Sequence, residues 1–286
     1  MCGQTGRAER RSSWGGYARQ GGAGKGEETE KMAGVLVSGL NEAGRRLADL
    51  AWPPVCPLAG DTVDRAGHLT PQAWSRLTFL DAPWCDTCGW PFPYPAGSGG
   101  ASLAVCANCI ANPPRFDRAR APLAYDARVS PLVVGFKHGS RREMIGQFGR
   151  WMVRAGKDCL DEADAIIPVP LHWRRLVVRR YNQSALLGHV LSRESGVPMW
   201  TDALLRQRAT PSQAGRTARL RRRNVAAAFT VPDRNAVAGK HLVLVDDVIT
   251  TGATVSACAY QLKRAGAASV RVVALCRVVR ETDPTV

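Results

Sequence analysis

The sequence predicts an α/β fold: a mostly parallel sheet with flanking helices, preceded by a small cysteine-rich region. Three observations carry this. Apolar strand candidates at residues 163–169, 241–245 and 269–279 are separated by helical patterns at 182–195 and 254–265. Strands that alternate with helices read as a parallel sheet covered on both faces. Five of the nine cysteines fall between Cys56 and Pro114. Finally, the 286 residues are 45% hydrophobic and 22% charged, which excludes wholesale disorder and collagen-like structure.

Taken from the amino terminus, residues 1–31 hold eight glycines among Arg, Glu, Gln and Ser without apolar periodicity. Such a segment cannot bury enough apolar surface to offset its ordering entropy, so a disordered extension is expected. Met32, a second candidate start, precedes an amphipathic helix pattern with Leu36, Leu40, Leu47 and Leu50, which stops before Pro53-Pro54. The apolar stretch at 33–40 is too short to span a bilayer, and Asn-Glu-Ala-Gly-Arg-Arg follows it where a small-residue cleavage site would stand. No membrane insertion and a cytoplasmic location are therefore expected. The domain reading is an extension over 1–31, a helix and metal-binding region over 32–115, and the α/β domain over 116–286.

Cys85-x-x-Cys88 and Cys106-x-x-Cys109 are separated by 17 residues, a zinc-ribbon spacing. Each pair points two thiolates at one ion, and two pairs complete a tetrahedron with no open position, so the zinc would be structural. Two disulfides are the alternative, but a reducing compartment keeps thiols free. Gly89, directly after Cys88, supplies the backbone freedom such a knuckle uses. Cys56 has Ala59 where a second cysteine would stand, and His68 is the nearest other ligand type, an incomplete set. Cys258 and Cys276 fall on apolar positions and read as core.

The segment from His241 to Thr254 is the most informative. An apolar strand runs into Asp246-Asp247, then Val-Ile-Thr250-Thr251-Gly252-Ala253-Thr254 opens a helix. Successive backbone N–H groups and the positive end of the helix make an anion cradle. Gly252 permits close approach, and Thr250, Thr251 and Thr254 can donate hydroxyls. Carboxylates cannot bind phosphate, so Asp246 and Asp247 suit sugar hydroxyls beside it, with magnesium carried on the ligand. The alternative is a strand whose acids merely cap a helix.

The net charge is +15, and it is concentrated: residues 171–223 hold twelve arginines, no lysine, and only Glu194 and Asp202 as acids. That points to phosphate, on a small molecule or on a nucleic acid, or to a solvated surface. Pro168-Val169-Pro170 leads a strand into Arg174 and Arg175 at the carboxyl end of the sheet, a candidate pyrophosphate loop. Asn182 is a candidate N-cap. Residues 204–229, with Arg219 and Arg223 among their arginines, read as a mobile loop rather than core.

Together these strings resemble the ComF family, competence-associated proteins with a zinc-binding region ahead of a type I phosphoribosyltransferase domain. The resemblance rests on Pro53-Pro54-Val-Cys56, the cysteine quartet, Tyr125, Phe136-Lys137-His138-Gly139, Pro168-Val-Pro170 and Arg180-Tyr-Asn182-Gln183. It continues through Arg208-Ala-Thr-Pro-Ser-Gln213, Arg223-Asn224 and the Asp246-Asp247 loop. It implies a phosphoribosyl pyrophosphate site: Asp246 and Asp247 on the ribose diol, Thr250, Thr251, Gly252, Ala253 and Thr254 on the 5′-phosphate, and Arg174, Arg175, Arg219 and Arg223 on the pyrophosphate. It also implies Mg with that ligand, and single-stranded DNA and competence proteins such as a helicase as partners. Many members carry two cysteine pairs in the first part of the zinc region, and here Cys56 alone remains. A pentosyl-transferring enzyme is one expectation, and a non-catalytic DNA-binding accessory factor is the other. The stretch holds few aromatics, Trp173, Tyr181 and Trp200, for a base-stacking platform, and acids such as Asp246 and Asp247 repel a polyanion.

Overall fold

In the computed structural model the described residues are 52–92, 104–139, 141–172, 176–177, 180–207 and 228–279. The expected extension at 1–31, the helix pattern before Pro53, and Arg174, Arg175, Arg219 and Arg223 lie outside them. The sheet is built from β1 (Arg118–Arg120), β2 (Leu123–Ala124), β3 (Ala165–Pro168), β6 (His241–Ile249) and β7 (Ser269–Arg277). Its order is β1-β7-β6-β3, with β2 also on β7, and every pairing is parallel. Two short strands, β4 (Leu205–Arg206) and β5 (Phe229–Thr230), form a separate antiparallel pair.

Continuous apolar runs make the central strands because both faces are covered. Along β6, Leu242 and Leu244 belong to one buried cluster while Val243 and Val245 belong to the other, the alternation of a pleated strand. The first cluster packs against α7 (Arg234–Val237) and α8 (Ala253–Arg264) through Val237, Val255, Cys258, Ala259 and Leu262. The second packs against α3 (Ser130–Lys137), α4 (Ile145–Ala155), α5 (Lys157–Leu160) and α6 (Gln183–Ser195) through Leu132, Phe136, Phe148, Leu160, Leu187 and Leu191. Each fully buried side chain of this size contributes roughly 1.5–3 kcal/mol. Cys258 and Cys276 are core residues, as their apolar settings suggested. The helices α4 and α6 meet closely at Gly149, where a Cβ would lie 2.1 Å from Val190 Cγ1.

Two boundaries moved for physical reasons. The strand expected to stop at Val245 runs on to Ile249, because β7 continues to pair with it at Asp246↔Ala274, Val248↔Cys276 and Ile249↔Arg277. The segment read as a loop from 204 to 229 is zipped at its two ends, with Leu205↔Thr230 and Arg206↔Phe229.

The cysteine-rich region sits directly on the sheet. It contributes the short helices α1 (Pro71–Trp74) and α2 (Ala107–Ala111), and its four clustered cysteines share one buried cluster with β6 and α8. Ala119 N–H donates to Thr87 C=O at 2.8 Å. Gly89 has φ +69°, and a Cβ there would lie 2.5 Å from Ala119 O, so both its backbone angle and its close approach require glycine. Among the described residues no helix is long and apolar enough to cross a membrane.

Candidate functional site

The extension of β6 holds Asp246 and Asp247 on hydrogen-bonded backbone beside the switch from strand to loop. Asp246 Oδ1 accepts from Ser184 Oγ at 3.2 Å and from the Asp247 N–H at 2.9 Å. Lys137 Nζ lies 3.3 Å from Asp247 Oδ2. Burial, and then the neighbouring Asp247 carboxylate, push the Asp246 carboxyl up to about 7. An acid pair in which one member is held near neutrality is a feature of working sites more often than of scaffolding.

A short string fixes Lys137 over the pair. Tyr181 Oη donates to Phe136 C=O, Gln183 Nε2 donates to Lys137 C=O at 3.1 Å, and Asn182 Nδ2 donates to Val169 C=O at 3.1 Å. Asn182 also caps α6, its Oδ1 accepting the Ser184 N–H at 3.1 Å, as expected. Residues 181–183 thus tie the end of α3, the end of β3 and the start of α6 to one point, and Ser184 extends from it to Asp246. Lys137 and Ser184 were not singled out as site residues. The one sequence signal for Lys137 was its place in the Phe136-Lys137-His138-Gly139 string, which carries no chemistry until the fold brings it to Asp247.

After β6 the chain turns through Thr250 and Thr251 to Gly252, which adopts φ +71° as the N-cap of α8. No side chain caps this helix, so its first-turn N–H groups have no side-chain acceptor. Asp246 and the residues from Val248 to Val255 line a small concavity here, including Thr250, Thr251, Gly252, Ala253 and Thr254. Six of the expected residues, Asp246 and Thr250 to Thr254, thus line one concavity, and Asp247, next to Asp246 on β6, is not among its lining residues; Arg174, Arg175, Arg219 and Arg223 lie outside the described residues. Pro168 pairs with Val245, so the Pro168–Pro170 turn starts beside the strand that carries the acids.

The cysteine quartet forms a second centre. The Sγ atoms of Cys85, Cys88, Cys106 and Cys109 all lie within 4.8 Å of one another, and all four residues are buried. Cys88 and Cys106 sulfurs are 3.7 Å apart, and tetrahedral zinc with Zn–S bonds of about 2.3 Å places sulfurs about 3.8 Å apart. Cys85 Sγ accepts the N–H groups of Cys88 at 3.5 Å and Cys106 at 3.3 Å. A tetrathiolate zinc centre carries a net charge of −2, and a buried cation answers it. Arg277 Nη2 donates to Cys88 Sγ at 3.3 Å, with its guanidinium 5.6 Å from the Trp90 ring centre. Arg120, buried against Trp84, pairs with Asp158 at 2.8 Å. Neither arginine was read as part of the site. The available signal was an arginine closing the otherwise apolar run Val272 to Cys276. The donor set fits structural zinc.

Residues 184–285 match the phosphoribosyl transferase domain family, and residues 47–112 match the double zinc ribbon domain family. The chain is 38% identical over 210 residues to the DNA utilization protein YhgH of Shigella flexneri, covering 72% of this chain and 88% of that protein. It is 32% identical over 201 residues to competence protein F of Haemophilus influenzae, covering 68% of this chain and 85% of that one. With competence protein ComFC of Bacillus subtilis the identity is 26% over 211 residues, covering 71% and 81% of the two chains. A buried thiolate quartet set against a parallel sheet that ends in an acid pair and a glycine-led helix, together with identity of this extent, establishes that the chain belongs to the ComF family.

Proposed function

We propose that the α/β domain binds phosphoribosyl pyrophosphate or a closely related phosphoribosyl ligand. The observation that carries this reading is the acid pair at the end of β6 followed at once by a helix N-terminus without a side-chain cap. Asp246 and Asp247 hold the ribose diol. Thr250, Thr251, Gly252, Ala253 and Thr254 hold the 5′-phosphate through backbone N–H groups and hydroxyls. Lys137 offsets the charge of Asp247 before the ligand arrives and faces the ligand's phosphates afterwards. Arg174, Arg175, Arg219 and Arg223 are assigned to the pyrophosphate. Magnesium would ride on the pyrophosphate and neutralise part of its charge. The reaction class such a site serves is transfer of ribose 5-phosphate to an acceptor nitrogen: the bond from C1 to the pyrophosphate oxygen breaks, a C1–N bond forms, pyrophosphate departs and the acceptor's N–H proton passes to solvent. Positioned charges supply most of that catalysis. Calorimetric titration with magnesium and phosphoribosyl pyrophosphate tests the reading. Saturable binding is expected for the wild type and its loss for Asp246→Asn/Asp247→Asn; absence of binding by the wild type would sink it.

A second reading concerns DNA, and two observations favour it. Relatives are named as DNA utilization and competence proteins, and twelve arginines crowd residues 171–223. We infer that the arginine-rich stretch also contacts single-stranded DNA during uptake or use, while the acid-lined crevice takes the small molecule. Phosphate contacts release counterions, so affinity should fall steeply with salt. Arg219, Arg221, Arg222 and Arg223 changed to Ala should flatten that dependence. A salt-independent interaction in the wild type would count against it.

A further inference from the structure

The double zinc ribbon match spans residues 47–112, yet one cysteine quartet lies within it. The backbone explains why. Around Cys85, the Cys85 N–H donates to Trp90 C=O at 2.7 Å, Gly89 N–H to Cys85 C=O at 2.8 Å, and Phe92 N–H to Pro83 C=O at 2.8 Å. Around Cys56 the same bonds recur at the same spacing: Cys56 N–H to Asp61 C=O at 2.6 Å, Gly60 N–H to Cys56 C=O at 2.8 Å, and Val63 N–H to Pro54 C=O at 2.9 Å. The antiparallel bridges Trp84↔Pro91 and Val55↔Thr62 correspond too, as do Gly89 at φ +69° and Gly60 at φ +80°. On this register Ala59 stands where Cys88 stands.

The second halves also correspond. Cys106 is the N-cap of α2 with φ −69° and ψ 153°, and Thr70 is the N-cap of α1 with φ −66° and ψ 157°. Cys109 follows Cys106 by the same step as Ala73 follows Thr70, and both are buried. The Cys106 N–H donates to Cys85 Sγ at 3.3 Å, and in the corresponding place the Thr70 hydroxyl donates to Cys56 Sγ at 3.9 Å.

We propose that residues 54–74 are a second zinc ribbon that folds without metal: Cys56, Ala59, Thr70 and Ala73 occupy the places of Cys85, Cys88, Cys106 and Cys109. Two alanines offer no donor, a threonine hydroxyl is a poor zinc ligand, and His68 is exposed. The Thr70–Cys56 hydrogen bond and the burial of Ala73 close the knuckle in place of an ion. The chain accordingly takes one zinc, and its first ribbon is a metal-independent platform that keeps the geometry of a metal site.

Metal analysis and cobalt substitution on the full chain test this. Wild type and Cys56→Ser should each hold one zinc per chain, and Ala59→Cys/Thr70→Cys/Ala73→Cys should hold two, with a doubled thiolate-to-cobalt charge-transfer band. After chelation, amide exchange should accelerate at Cys85, Gly89 and Phe92 while Cys56, Gly60 and Val63 keep their protection. Two zinc ions in the wild type, zinc lost in Cys56→Ser, or equal loss of protection in both ribbons would overturn the proposal. So would a folded triple variant that still holds one zinc. The wild-type and exchange measurements decide the matter even where the triple variant does not fold.

Discussion

Asp246 combines a raised carboxyl with the proposed ribose contact, and both can be measured through pH. Its carboxyl is raised to about 7 by burial and by Asp247, so the folded chain retains a proton that the unfolded chain, near about 3.9, gives up. Stability therefore falls as pH rises between those values. Asp246→Asn should resist urea better than the wild type at pH 8, with the gap closing toward pH 4. On the proposed reading ligand binding has the opposite sign, because ribose hydroxyls would donate to the ionised carboxylate. Affinity for the phosphoribosyl ligand should rise up to about pH 7 and then level, changing by up to about tenfold per pH unit below it; comparison with Asp246→Asn removes the ligand's own titration. Lys137, 3.3 Å from Asp247, gives a third test. Lys137→Met should weaken binding of the pyrophosphate-bearing ligand by about ten- to a hundredfold, as expected for a charge-assisted contact worth roughly 1.5–3 kcal/mol, with the far-UV spectrum unchanged. The two acids were legible in the sequence because strand, acids, loop and helix lie in one continuous string. Lys137 and Ser184 were not, because they come from other helices and meet the acids in the folded chain alone.

At the scale of elements, long buried strands and capped helices could be read and short ones could not. The run from Leu242 to Val245 is apolar on both faces, and Asn182 caps α6 as its position suggested. The three residues of β1 and two of β2 have no periodicity of their own; pairing with β7, and for Leu123 also with Phe79, makes them strands. Sequence also undercounted β6, since an acid pair reads as a terminus although β7 goes on pairing beyond it. The packing of α4 on α6 offers a sharp test. Replacing a helical glycine by alanine usually adds up to about 1 kcal/mol. At Gly149 the new Cβ would meet Val190 Cγ1 at 2.1 Å, so Gly149→Ala should instead cost about 1–3 kcal/mol in chemical denaturation. Adding Val190→Ala should recover part of that loss, a non-additivity expected of residues in contact.

For the whole molecule, the zinc region and the sheet share a buried cluster, and Arg277 joins them by donating to Cys88 from the end of β7. Chelating zinc leaves that arginine without its counter-charge. The stability lost on chelation should therefore be smaller in Arg277→Leu than in the wild type, read as the shift in unfolding midpoint. The net charge of +15 pointed to phosphate without choosing a ligand. The proposed site narrows the choice, because Asp246 and Asp247 precede the Thr250–Thr254 loop, where a polyanion alone would be repelled. A crystal structure with magnesium and phosphoribosyl pyrophosphate bound measures this directly. The expected density shows the 5′-phosphate on the N–H groups of Thr251 to Thr254 and the ribose hydroxyls within hydrogen-bond distance of Asp246 and Asp247. Density for the ligand elsewhere, with that crevice unchanged, would contradict it.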